Sequence, residues 1–286
     1  MRRSRVLLLT LIALIAFAAN SILCRLAFER SDIDAASFTS IRLVSGALAL
    51  WLIVALRRDV RGIGGSWPSA FALFAYAAAF SFAYVSLPTG VGALLLFGAV
   101  QATMIFAGLR AGERLGRRQG AGLALALGGL GYLLMPGFAA PALGGSLLML
   151  AAGIAWGVYS LRGRGTADPL GATAGNFLRA VPLALGASVA ALPGMQPDVA
   201  GAGYAVLSGA LASGAGYAVW YAALRGLTAT HAATVQLSVP VIAAAGGTVL
   251  LGEPVTLRLV FASIAILGGI ALVVFGRRQA GPSRAT

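Results

Sequence analysis

Lysine is absent from this chain of 286 residues, cysteine and histidine occur once each, and the acidic residues number only eight. Each shortage removes a class of function. A lone Cys24 allows no internal disulfide. With one histidine there is no Cys/His cluster to hold zinc. Without lysine there is no glycine-rich loop ending in the Lys that reaches a nucleotide's phosphates. No nucleophile stands in a pattern with a base. No enzyme activity, cofactor or metal site is expected. Charged residues make up 10% of the chain. That is far below the roughly 25% of a soluble domain, so the polar surface that would face water is missing.

What the chain has instead is apolar residue, 59% of the total, with a mean hydropathy of +0.90. Apolar segments of about 20 residues recur, enough at 1.5 Å per residue to cross a hydrocarbon core roughly 30 Å thick. Ten can be drawn: 6–24, 36–56, 69–87, 90–109, 119–135, 143–161, 170–192, 201–224, 231–251 and 256–275. They predict an all-α polytopic membrane protein of ten transmembrane helices. Turn residues mark the connections, as in Leu87-Pro88-Thr89-Gly90 and Leu192-Pro193-Gly194. The start resembles a secretory signal ending in Ala16-Phe17-Ala18. It is read as retained, because cleavage would delete the first helix of a repeat. Residues 277–286 read as a disordered cytoplasmic tail.

A net charge of +13 would point to nucleic acid in a soluble protein. Here the arginines lie between apolar segments, so the expected partner is the lipid bilayer and not nucleic acid. With the N-terminus inside and the segments alternating, sixteen arginines fall on the inner side and three, Arg25, Arg30 and Arg258, outside. Both termini are therefore expected in the cytoplasm, with the chain in a bacterial inner membrane. The oligomeric state is open.

Residues 111–134 are written a second time, more loosely, at 251–274. Gly112-Glu113 matches Gly252-Glu253, and at the same offset Gly128-Gly129 falls on Gly268-Gly269. Self-similarity at a fixed offset marks duplication. The repeats run from 1 to 139 and from 140 to 276. Five segments per repeat is an odd number, so the second copy enters the membrane from the opposite side. Secondary transporters use such inverted repeats, with the substrate bound between the halves.

This arrangement, with Gly-Glu before the last helix of each repeat and Gly-Gly within it, resembles the drug/metabolite transporter superfamily. Within it the chain is similar to the ten-helix EamA-type carriers, the aromatic-amino-acid exporters in particular. Phe17 to Arg25 fits that family's W-G-x-N-x-x-x-x-K pattern with Phe for Trp and Arg for Lys; Trp156-Gly157 and Pro240 are kept, whereas the first-half counterpart of Pro240 is Val100. The resemblance implies a carrier and an export direction. Small multidrug pumps of the superfamily need a membrane-embedded Glu. Here every acid falls in a connection or at a segment end, which argues against a cationic-drug antiporter and for a facilitator.

Rings and amides mark the candidate substrate site. Tyr76, Phe80 and Tyr84 share one face of the third segment, and Tyr217, Trp220 and Tyr221 one face of the eighth. An offset of 137 lays Phe80 on Tyr217 and Tyr84 on Tyr221, so the two rows are expected to meet across the pseudo-twofold. They would suit an apolar or aromatic side chain, and would equally serve as packing. Trp156 and Tyr159 on the sixth segment extend the idea. Asn20, Gln101 and Gln236 are amides that lipid would penalise, so each faces a wet cavity or bridges helices. Ser238 stands beside Pro240, whose missing N–H frees a carbonyl. Arg42 and Arg179, near repeat partners inside segments, either hold a substrate carboxylate or satisfy backbone carbonyls; their pairing favours the second. Glu113 and Glu253 are expected to cap the helices that follow them. Gly120, Ala124 and Gly128, with Ala265 and Gly269, predict close packing of the fifth and tenth segments.

The function expected is export of neutral amino acids with large apolar or aromatic side chains through a central cavity. Export of another small metabolite or toxic organic compound, or a scaffold or sensor without transport, stay open.

Overall fold

The computed structural model describes residues 3–57, 62–112, 114–137 and 139–275, and among these no strand occurs. In chain order come α1 (Arg3–Arg30), α2 (Ala35–Ala55), α3 (Trp67–Tyr84), α4 (Thr89–Arg110), α5 (Arg117–Leu134) and α6 (Leu143–Arg162). There follow α7 (Pro169–Ala190), α8 (Val199–Val206), a π-helical stretch at Leu207–Ala215, α9 (Gly216–Leu224), α10 (Ala229–Gln236), α11 (Val239–Leu251) and α12 (Leu257–Phe275). Seven helices among the described residues are long and apolar enough to cross a membrane, taking α8 to α9 as one rod and α10 with α11 as another. The chain is an all-helical, polytopic membrane protein. The expected tail at 277–286 lies outside the described residues.

Three of the few acids sit where helices begin. Asp34 accepts hydrogen bonds from the N–H groups of Ala36 and Ser37 at 3.0 and 2.9 Å, Asp168 from Gly171, and Asp198 from Gly201. Each satisfies an N–H that the first helical turn leaves without an intrahelical partner. Asp34 also accepts from the Gln196 N–H at 2.9 Å, tying α2 to the connection before α8. Burial alone would raise this carboxyl, but hydrogen bonds from Ser37, Gln196 and Ala36 outweigh it and hold its pKa below the usual 3.8. A lowered folded-state pKa gives stability that is present above the unfolded value and lost as pH falls through the folded one. Asp34→Ala is therefore expected to cost about 1 kcal/mol at neutral pH. The gap to the wild-type melting midpoint should close below pH 4.

Two rods are interrupted for identifiable reasons. Pro240 has no N–H to offer the Gln236 carbonyl, and α10 ends at Gln236 before α11 resumes at Val239. The Ser238 hydroxyl donates to the Val235 carbonyl at 2.6 Å, which satisfies an acceptor beside the break. Helix α4, the counterpart expected from the repeat, has Val100 there and runs unbroken. The π-helical stretch lies against α1 and α2. There Ser208 and Ser213 donate to Asn20 Oδ1 at 2.8 and 3.2 Å.

Helix pairs meet through small residues. A Cβ on Gly122 would come 2.6 Å from the Gly269 carbonyl oxygen, and one on Gly129 would come 2.7 Å from the Ala265 Cβ. As α5 advances, its partners on α12 recede, so the two helices run antiparallel. The same holds for α2 and α7, where Ser40 bonds the Ser188 hydroxyl at 2.7 Å while Gly46, further along, meets Phe177. The close packing of α5 on α12 was expected, and Ala265 and Gly269 make it from α12 as expected; the α5 row that makes it is not the one expected. Gly120 and Gly128 face open space, and Gly122, Ala126 and Gly129 carry the contact, because α5 presents its next face to α12. Gly268→Val should leave stability unchanged. Gly269→Val would drive a side chain into the α5 backbone, at a cost of about 1–3 kcal/mol, read as a lowered melting midpoint in detergent.

Outside the bundle stand large apolar side chains such as Leu11, Phe71, Phe106, Val249 and Phe261. Such residues need no burial where the surroundings are acyl chains.

Candidate substrate cavity

A cavity of about 550 Å³ lies between the helices, lined from α1, α3, α4, α6, α7, α9 and α10. Its depth can be read along α3, which rises 1.5 Å per residue. Ser66 and Ser69 are at one end, Tyr76 and Phe80 further in, and Tyr84, off the lining, one turn beyond. The lining also reaches Gly163, Arg164 and Thr166 in the α6–α7 connection. The cavity therefore meets solvent at the end of the bundle where the α2–α3 and α6–α7 connections lie.

Nine of the thirteen residues singled out from the sequence line it: Asn20, Tyr76, Phe80, Trp156, Tyr159, Tyr217, Trp220, Tyr221 and Gln236. Among the described residues no ring pair joins the rows on α3 and α9 directly. Trp156 joins them, with ring centroids 4.8 Å from Tyr76 and 5.7 Å from Tyr217, the latter pair stacked at 27°. Tyr159 stacks on Trp156 at 5.2 Å, and Tyr221 continues from Tyr217 at 6.2 Å. Phe17 closes the group against Tyr217 and Trp220 at 5.8 and 5.7 Å. The result is a wall of π-faces with hydroxyl and indole N–H tips, suited to a flat apolar group.

Nearer the mouth the lining turns polar. Thr173 shares a hydrogen bond with the Tyr221 hydroxyl at 2.9 Å and receives one from Tyr159 at 3.4 Å. Asn176 donates to the Tyr159 hydroxyl and accepts from the Ser66 N–H at 2.9 Å. Arg162 Nε donates to the Ser69 hydroxyl at 3.1 Å. These lining residues were not anticipated. Asn176, an amide inside an apolar segment, carries the signal that marked Asn20. Ser66, Ser69 and Arg162 lie at segment ends, where sequence does not separate a lining residue from a solvated one.

Tyr84, Gln101, Ser238 and Pro240 are placed off the lining. Tyr84 is fully buried, with its ring against Gly92 and its hydroxyl donating to the Thr89 carbonyl at 3.3 Å. It continues the α3 row through Phe80 at 4.8 Å, one turn too deep to reach the cavity. Gln101 is buried in α4 beside the lining residue Val100. Ser238 and Pro240 form the α10–α11 break, and Gln236, just before it, is the residue that faces inward.

The two arginines inside segments part company. Arg179 donates to the carbonyls of Gly64 and Gly175 at 2.8 and 2.9 Å, the structural use expected of both. Among the described residues Arg42 makes one side-chain hydrogen bond, to the Tyr76 hydroxyl at 3.0 Å.

The end opposite the mouth is shut by charge. Arg25 of α1 donates to the carbonyls of Tyr84 and Val85 at 3.0 and 3.2 Å. It pairs with Glu29 and, at 3.5 Å, with Glu253. Glu253 does not cap the helix that follows it, as its position in the turn suggests. Gly252, in the left-handed conformation at φ +69°, turns the chain out of α11. The carboxylate then reaches the first residue of α4, accepting from the Thr89 N–H at 2.8 Å and the Thr89 hydroxyl at 3.0 Å. Pro88, ahead of α4, provides no side-chain cap, so Glu253 supplies one from 164 residues away. Arg30 adds a bond to the Leu250 carbonyl at 2.6 Å. Glu113, the other half of the motif, lies outside the described residues.

A model of the EamA-like transporter family matches residues 143–275. An uncharacterized protein of Pseudomonas aeruginosa is 58% identical over 274 residues, covering 96% of each chain. A solved crystal structure superposes with a TM-score of 0.65 at 22% identity, covering 93% of this chain and 98% of the other, and so shares the fold. None of these singles out an aromatic-amino-acid exporter.

Proposed function

The chain belongs to the EamA-like transporter family, and on that premise we propose that it exports neutral amino acids with large apolar or aromatic side chains by alternating access. The observation that carries this reading is the cavity wall, in which Trp156 links the α3 and α9 ring rows. A planar or branched apolar side chain stacks there. The polar band around Thr173 and Asn176 offers hydrogen-bonding groups nearer the mouth.

An inverted pair of five-helix repeats is the frame for this motion, and the packing supports it. Equivalent helices related by a twofold in the membrane plane must run antiparallel, as α2 with α7 and α5 with α12 do. Exchanging the halves also turns the α3–α6 pair into α1 with the α8–α9 rod, and α4–α6 into α1 with α11; both members of each exchange are in contact. The arginine distribution puts the mouth on the cytoplasmic side. On that orientation the closure made by Arg25, Glu253 and Thr89 lies outside and the cavity opens inward. Rocking one half against the other would open that closure and shut the mouth.

Purified protein in liposomes is expected to give saturable, protein-dependent flux of labelled phenylalanine or leucine. Imposed proton gradients should leave it unchanged, since no described carboxylate lines the cavity. If no neutral amino acid shows such flux, the proposed substrate class is wrong.

A further inference from the structure

Arg42 is 2% exposed, lies seven residues into α2, and has no carboxylate partner among the described residues. Its guanidinium sits 4.7 Å from the centre of the Phe80 ring and 5.4 Å from that of Tyr76. Nη2 donates to the Tyr76 hydroxyl at 3.0 Å, and Nη1 is buried with no acceptor. A guanidinium stays protonated at any pH a protein survives. An unpaired one, cut off from water, is tolerated only at a cost that ring faces and one neutral hydroxyl offset in part. Arg179, its near counterpart in the other half, shows what a structural arginine does here, spending its donors on backbone carbonyls. Arg42 has donors left over, and the two rings that cover it, Tyr76 and Phe80, are wall residues of the cavity.

We propose that Arg42 is the anion-recognition residue of the cavity, and that the transported compounds share a carboxylate that takes the Tyr76 hydroxyl's place on the guanidinium. This rests on the transport reading above and sharpens it. The two terminal nitrogens of a guanidinium match the two oxygens of a carboxylate in a planar fork. A substrate whose carboxylate reaches past a displaced Tyr76 leaves its apolar part against Trp156 and Tyr217. Compounds of the same shape without an acid group leave Nη1 unpaired and bind weakly.

Three probes of similar shape test this by quenching of tryptophan fluorescence and by thermal shift in detergent: phenylalanine, 3-phenylpropionate and phenylethylamine. Phenylalanine and 3-phenylpropionate are expected to bind the wild type at least about 30-fold more tightly than phenylethylamine. This comparison needs no mutation. Arg42→Met is expected to lose that advantage while its ligand-free melting midpoint holds or rises, since an apolar side chain replaces an unpaired charge. Arg179→Gln should keep the advantage. Equal binding of phenylethylamine, or carboxylate binding that survives Arg42→Met, overturns the role of Arg42 and leaves the cavity reading standing. A fall in the ligand-free midpoint of Arg42→Met with carboxylate binding intact assigns Arg42 to structure. If none of the three binds the wild type, the cavity reading fails along with this one.

Discussion

Liposomes carrying Trp156→Ala should move phenylalanine about a hundredfold more slowly than the wild type, with the protein folded and inserted normally. Among the described residues the indole is the one ring in contact with both rows, at 4.8 Å from Tyr76 and 5.7 Å from Tyr217. A ligand side chain stacked on it covers on the order of 120 Å² of apolar surface, or about 3 kcal/mol at ~25 cal/mol per Å². At 1.4 kcal/mol per tenfold, that is roughly a hundredfold in affinity. Trp156→Phe keeps a smaller face and should recover most of the loss for leucine and less for phenylalanine. A packing role predicts otherwise: Trp156→Ala would lower the melting midpoint and slow every substrate alike. Flux and melting measured on the same preparation decide between them.

The second large effect is expected at the closed end. Cys24 is the only cysteine, is fully buried, and has Arg25, Arg42 and Ser81 around it, between the cavity floor and the charged closure, which the proposed orientation puts outside. A membrane-impermeant thiol reagent added from outside should react with it slowly in the wild type. Glu253→Gln keeps the shape of the side chain but removes the charge that pairs with Arg25 and faces the start of α4. Charge-assisted bonds of this kind are each worth about 1.5–3 kcal/mol. Losing them should shift the inward–outward balance enough to raise the Cys24 labelling rate tenfold or more. Reagent from the cytoplasmic side should gain nothing. Unchanged outside labelling in Glu253→Gln would mean that this network is not the outer gate.

The Gly-Glu motif marks how far each level of description reaches. Its register is the ground for expecting a duplication, because two short matches at one offset are visible in a string of letters. Its chemistry is not, because the partner of Glu253 is an N–H 164 residues away. The aromatic rows were legible for the same reason as the motif: helical spacing puts Tyr76 with Phe80, and Tyr217 with Tyr221, whatever the rest of the chain does. Tyr84 shares that spacing and misses the cavity, since depth along α3 depends on where neighbouring helices cross it.

Composition and spacing alone determined that this chain is a bundle of membrane helices and which rings share a helix face. These are properties of one helix in an apolar solvent, where backbone groups must bond within the segment. Tertiary structure alone decided the pairings: that Trp156 joins the two rows, that α5 offers Gly122 and Gly129 and not Gly120 and Gly128 to α12, and that Arg179 finds carbonyls while Arg42 does not. Each of those turns on the rotation and depth of one helix against another. In lipid that fit is set by close packing and a few hydrogen bonds between residues far apart in the chain.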